Sequence, residues 1–224
     1  MAYQDDIKKA AALLLPWNKL SGCNILVTGA TGLIGGCLVD VLMAHKGRNY
    51  NVYASGRNEE RAGRRFLKYA DDNAFHFVKY DVAQPLEYDV NFQYIIHAAS
   101  GAYPEEFIKH PVEVIKGNIN GLDNLMGYGI QHGIKRLLYI SSGEVYGEGD
   151  GRVFTENYSG YVDCTSLRSC YPSSKRAAET LCISYGAEYG IDVVIARPCH
   201  VYGPGFTESD NRVYAQFIRN VLRK

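Results

Sequence analysis

The residues best suited to do chemistry are Tyr171 and Lys175, a tyrosine four positions before a lysine in a stretch with helical character. On a helix such positions share a face, so the Lys175 ammonium can approach the Tyr171 phenol and favour its phenolate. The pair would then be a base for taking a proton from an alcohol. A solvated lysine beside a half-buried tyrosine gives the same spacing, so the neighbouring segments must decide. One of them runs from Tyr139 to Gly147, where Ser142 could hydrogen-bond the alcohol as Tyr171 deprotonates it and Glu144 could handle a second proton.

The elements that must hold these side chains begin with the apolar run from Asn24 to Thr28. Gly29, Gly32 and Gly35 follow in a G-x-x-G-x-x-G turn, and then an apolar helical pattern reaches Met43. This reads as strand, tight turn and helix. Glycines suit a turn whose backbone must approach a pyrophosphate while a helix N-terminus offers it free N–H groups. Gly36 and Cys37 stand where a Walker loop needs Lys and Ser or Thr, which excludes that loop. Short apolar runs at 52–55, 75–78, 94–97, 137–141 and 193–196 then alternate with helical patterns at 59–69, 112–132 and 172–189. The alternation predicts an α/β fold whose parallel sheet is covered on both faces, with ligands at the carboxyl ends of the strands.

Those strand ends carry the remaining signals. After the second run, Gly56 stands where a ribose-binding carboxylate is expected, and Arg57 beside it offers a fork suited to a 2′-phosphate. That combination leans toward NADP over NAD, although Arg57 could equally stack on adenine. Asp81 after the third run could accept from an adenine amino group. Ala98, Ala99 and Ser100 after the fourth are small where backbone would pass close to a cofactor, and His97 before them reads as a satisfied core histidine.

Composition limits the alternatives. With 46% hydrophobic residues and 24 basic against 24 acidic side chains, 224 residues can bury a substantial core. Balanced charge gives no case for nucleic acid, and Arg57, Arg61, Arg64, Arg65 and Lys68 read as a solvated helix face. The apolar run 10–15 is too short for a leader or a membrane span, so a soluble cytoplasmic protein without membrane partners is expected. The cysteines at 23, 37, 164, 170, 182 and 199 show no paired C-x-x-C spacing, so neither a metal site nor a disulfide framework is expected and they read as reduced, mostly packing residues.

Taken in order, the glycine turn, Ser142, Tyr171 and Lys175 resemble the extended short-chain dehydrogenases/reductases, specifically the NAD-dependent epimerase/dehydratase family acting on nucleotide sugars. The resemblance runs from Asn24 to the C-terminus and also rests on Asp81 and Val82, the segment from His97 to Ser100, Asn118, and the stretch from Arg197 to Pro204. It implies a Rossmann-type doubly wound sheet. A peripheral helix over 1–20 would precede a dinucleotide-binding domain over 21–205, with the start of a substrate-binding region over 206–224 and most of that C-terminal domain absent. Cofactor contacts would come from Gly29, Thr31, Gly32, Leu33, Ile34, Gly35, Arg57, Asp81, Val82, Ala98, Ala99, Ser100, Asn118, Tyr171, Lys175 and Pro198. Substrate contacts would come from Ser100, Ser142, His200 and Arg212.

The family's shared first step is oxidation at sugar C4, with Tyr171 taking the hydroxyl proton and Lys175 holding the ribose and lowering the Tyr171 pKa. The 4-keto sugar can then epimerise, lose water or lose a C5 carboxylate. Glu144 resembles the dehydratases and UDP-glucuronate decarboxylases. Gly143 replaces the aspartate that many glucose-type dehydratases carry, and His200 replaces the usual asparagine. Decarboxylation or dehydration of a nucleotide sugar is therefore expected ahead of 4-epimerisation. A non-catalytic dinucleotide sensor and an NADPH-dependent carbonyl reductase remain as alternatives. Members of this family pair as homodimers, here through the helices at 112–132 and 172–189.

Overall fold

The computed structural model describes residues 2–204 and 213–222. Six strands, β1 (Asn24–Thr28), β2 (Asn51–Gly56), β3 (Phe75–Lys79), β4 (Tyr94–His97), β5 (Arg136–Ile140) and β6 (Asp192–Ala196), form one sheet in the order β3-β2-β1-β4-β5-β6. Every pairing is parallel, as the expected runs required. The chain winds outward from β1 to β3, then returns to the other side of β1 to begin β4. This reversal opens a crevice beyond the carboxyl ends of β1 and β4.

Helices cover both faces because the strands are apolar on both. On one face Ile25, Val27, Val52 and Ala54 pack with Val39, Leu42 and Met43 of α2 (Leu33–Ala44) and Ala62 and Phe66 of α3 (Glu59–Phe66). On the other, Leu26, Ile95, Leu137 and Tyr139 meet Leu122, Leu125 and Met126 of α5 (Pro111–Gln131) and Ala178 and Cys182 of α6 (Cys170–Tyr189). Burying each large aliphatic contributes about 1.5–3 kcal/mol.

Local signals set the helix ends. Pro111 opens α5 at its first turn, Asn58 caps α3 by accepting from the Arg61 N–H, and Gly190 closes α6 in the left-handed conformation. A short helix, α4 (Pro104–Lys109), was not marked by any periodicity, since six residues span less than two turns. Helix α7 (Val213–Leu222) ends the described chain. Among the described residues no helix is long and apolar enough to cross a membrane.

The basic face of α3 departs from expectation. Arg57 and Arg64 are exposed, but Arg65 and Lys68 turn inward to Asp40 on α2, whose carboxylate is fully buried. Tyr69 and Tyr3, the latter on the N-terminal helix α1 (Ala2–Ala11), also donate to that carboxylate, at 2.9 and 2.6 Å. Burial alone would push the Asp40 carboxyl up; Lys68, Tyr3 and Arg65 outweigh it and hold it below the ordinary range. A buried anion needs such partners, and the sequence offered no pairing rule to find them.

Candidate active site

The turn between β1 and α2 is built of backbone. Gly29 has φ +65°, and a Cβ there would lie 2.7 Å from Ala98 C and O and from Ala99 Cα. A Cβ on Gly35 would collide with the Gly29 carbonyl. The two glycines therefore let the turn close against the end of β4, and α2 starts at Leu33 from Gly32 with no side chain capping it. The first N–H groups of a helix lack intrahelical partners, which suits this end to a pyrophosphate. Arg61 fixes the turn from outside by donating to the Thr31 carbonyl at 2.7 Å.

Arg57 is 80% exposed and lies 4.0 Å from Asp81, so the two charges expected at the adenosine end face each other. Val82 packs against Gly121 of α5, and its carbonyl accepts from Asn124 at 2.9 Å. His97 is buried at the end of β4 with Nδ1 2.8 Å from Thr28 Oγ1, but Nε2 has no partner among the described residues. It is thus only half satisfied. Burial, with Lys175 adding to it, pushes its pKa down to about 3, so the ring is neutral.

Ser100, Ser142 and Tyr171 converge. Tyr171, in the first turn of α6, is buried and stacked on Phe107 of α4 at 4.7 Å between centroids. Hydrogen bonds from Ser142 and Ser100 favour its phenolate, yet burial outweighs them and raises the pKa. With the phenol protonated, the one Ser100 proton goes instead to Asn118 Oδ1 at 2.8 Å; Asn118 donates to Ser174 at 2.9 Å, which in turn donates to the Cys170 carbonyl at 2.6 Å. This line of hydrogen bonds joins the β4 end, α5 and α6 around the phenol.

Lys175 packs beside two aromatic rings. Its Nζ does not bond the phenol; it donates to the Ile140 carbonyl at 2.9 Å and lies 4.7 Å from the Tyr139 ring centroid and 5.9 Å from that of Tyr171. Burial drives its pKa down to about 7.

Glu144 is engaged as well. Ser142 caps the turn Gly143–Tyr146, and both Glu144 oxygens lie 2.7 Å from Nη2 of Arg168. The Arg168 guanidinium sits over Phe107 at 4.7 Å, on the ring that stacks on Tyr171. A Cβ on Gly143 would collide with Cys199 Sγ, so the thiol fills the space an aspartate there would need. The Pro198 carbonyl accepts from the Gly143 N–H at 3.1 Å, and exposed His200 holds φ 48°. Arg212 lies outside the described residues. Arg168 and Phe107 carried no spacing signal; only the position of Arg168 three residues before Tyr171, one turn away, could have marked it.

Strand order and glycine turn together define a dinucleotide-binding α/β protein of the short-chain dehydrogenase/reductase kind. Residues 25–224 match the NAD dependent epimerase/dehydratase family, and the chain belongs to it. It is 37% identical over 206 residues to UDP-glucuronic acid decarboxylase 6 of Arabidopsis thaliana, which covers 91% of this chain and 58% of that one. A similar fold occurs in UDP-N-acetylglucosamine 4-epimerase of Methanobrevibacter ruminantium in complex with UDP-N-acetylmuramic acid (TM-score 0.76, 24% identity, 91% of this chain and 64% of that one). Another is dTDP-glucose 4,6-dehydratase of Bacillus anthracis in complex with NAD (TM-score 0.74, 22% identity, 90% and 62%). The chain thus spans under two thirds of each.

Proposed function

We propose that the protein is an NAD(P)-dependent nucleotide-sugar enzyme that oxidises its sugar transiently at C4 and then decarboxylates it, with a nucleoside-diphosphate uronic acid as substrate. The reading is carried by the convergence of Ser142 and Ser100 on the buried Tyr171 phenol, with Lys175 behind it. It is also supported by the likeness to a UDP-glucuronic acid decarboxylase. The Gly29 turn, which a single Cβ would fill, fits a dinucleotide pyrophosphate, and Arg57 and Asp81 stand where its adenosine would lie. The Arg57 guanidinium leans toward NADP, while the Asp81 carboxylate 4.0 Å away offsets part of the charge that a 2′-phosphate would meet.

When bound, the nicotinamide supplies the hydride acceptor for the sugar carbon and later returns the hydride. In its phenolate form Tyr171 takes the C4 hydroxyl proton, while Ser142 and Ser100 orient that hydroxyl and stabilise the phenolate against the burial that disfavours it. A ketone at C4 turns a C5 carboxylate into that of a β-keto acid, which loses carbon dioxide without an acid for a leaving hydroxide. Dehydration would need such an acid. Glu144 has both oxygens turned to Arg168, and the space beside Gly143 is filled by Cys199. Both features favour decarboxylation over dehydration. We further propose a homodimer through α5 and α6, where Val112 and Ile183 are exposed.

The test is the mass of the sugar product from a panel of UDP-, dTDP-, GDP- and CDP-sugars with NAD or NADP. Loss of carbon dioxide from UDP-glucuronate is expected. Loss of water or an unchanged mass would move the assignment to dehydration or epimerisation.

A further inference from the structure

One turn after Lys175, α6 carries a second buried ionisable residue, Glu179, on the same face. Lys175 donates to the Ile140 carbonyl, and the residue that follows β5, Ser141, donates its hydroxyl to Glu179 Oε1 at 2.5 Å. Arg197, just after β6, closes a fork on the same carboxylate, with Nε at 2.9 Å from Oε1 and Nη2 at 2.6 Å from Oε2. Glu179 therefore touches the residue before Ser142 and the residue before Pro198, one turn from Lys175. Three segments of the site meet on one carboxylate.

Its charge has a further effect. The titratable groups facing Lys175 are Tyr171, Glu179 and Cys182 from α6, Tyr139 from β5 and His97 from β4. Burial leaves His97 neutral, pushes the Cys182 thiol up to about 12, and raises both Tyr139 and Tyr171. Glu179, held in the Arg197 fork, is the carboxylate among them, and its charge works against the burial that lowers the Lys175 pKa. Arg197 offsets part of that negative charge.

We propose that Glu179 is a positioning residue that favours the ammonium form of Lys175 and holds Ser142 and the 198–200 segment in register with it. The inference rests on the reading of Lys175 as part of the active site, but its test needs no substrate. The Lys175 side chain is titrated by NMR in protein labelled at the lysine ε-carbon, with its signal assigned through Lys175→Met.

In Glu179→Gln, which keeps the shape and an acceptor for Ser141, the midpoint is expected to fall by on the order of one pH unit. In Arg197→Gln, which leaves the carboxylate uncompensated, it is expected to rise. The double variant should return toward the parent value. If Glu179→Gln does not fold, Arg197→Gln carries the test by its opposite sign. A midpoint unmoved in the folded single variants would reduce Glu179 to a structural staple and overturn the proposal.

Discussion

Replacing Gly29 by alanine should damage the fold and the dinucleotide site together. Two effects add: a non-glycine residue at φ +65° costs about 1–2 kcal/mol, and a methyl group 2.7 Å from the Ala98 carbonyl and Ala99 Cα forces a backbone shift costing about 1–3 kcal/mol. The sum is about 2–5 kcal/mol, which in a chain of this size lowers Tm by on the order of 4–20 °C. Gly47→Ala separates the two effects, since Gly47 has φ +80° but nothing within 4 Å, so only the conformational cost of about 1–2 kcal/mol applies. Thermal unfolding of both variants and calorimetric titration with NAD and NADP make the comparison. If Gly29→Ala melts no lower than Gly47→Ala and binds either dinucleotide as tightly as the parent, the close approach of the β1 turn to the end of β4 is not what shapes the site.

Lys175→Met should stabilise the protein at pH 7 by about 2 kcal/mol, because burying a cation costs more than its single carbonyl bond returns. Its folded pKa of about 7 lies below the unfolded 10.5, so the unfolded chain binds more protons between those values; the parent should gain stability as pH rises from 7 to 10, and urea midpoints for Lys175→Met should rise less. Asp40→Asn leaves Arg65 and Lys68 facing an uncharged amide and should cost about 2–3 kcal/mol in urea denaturation, the cations being partly exposed. Because the Asp40 pKa is depressed, its contribution is present above the ordinary 3.8 and is lost as pH falls below it. Arg168→Gln breaks a half-exposed ion pair and should change stability by less than about 1 kcal/mol while lowering turnover, measured as kcat on UDP-glucuronate.

Much of this molecule could be read from short-range pattern. The strands at 52–55 and 94–97 declared themselves because a strand buried on both faces must be apolar throughout, and α6 because Pro172 to Tyr189 keeps one period. The glycine turn was legible for a steric reason, since only residues without a Cβ pass between β1 and the Ala98 carbonyl. Charge partners were not legible. Asp40 with Arg65, Glu179 with Arg197 and Glu144 with Arg168 join residues 18 to 25 positions apart, where no spacing rule applies. The direction of Lys175 was hidden too. Helical spacing puts its Cα beside that of Tyr171, but the carbonyl of Ile140, available only once β5 packs under α6, decides where the ammonium goes.

The central claim is that the Tyr171 phenol is the proton acceptor of a nucleotide-sugar oxidation. The direct measurement incubates purified protein and its Tyr171→Phe variant with NAD or NADP and UDP-glucuronate, and follows the sugar by mass spectrometry. The parent should release a sugar that has lost carbon dioxide, and Tyr171→Phe should bind the dinucleotide but release none. Turnover by Tyr171→Phe at the parent rate would contradict the account.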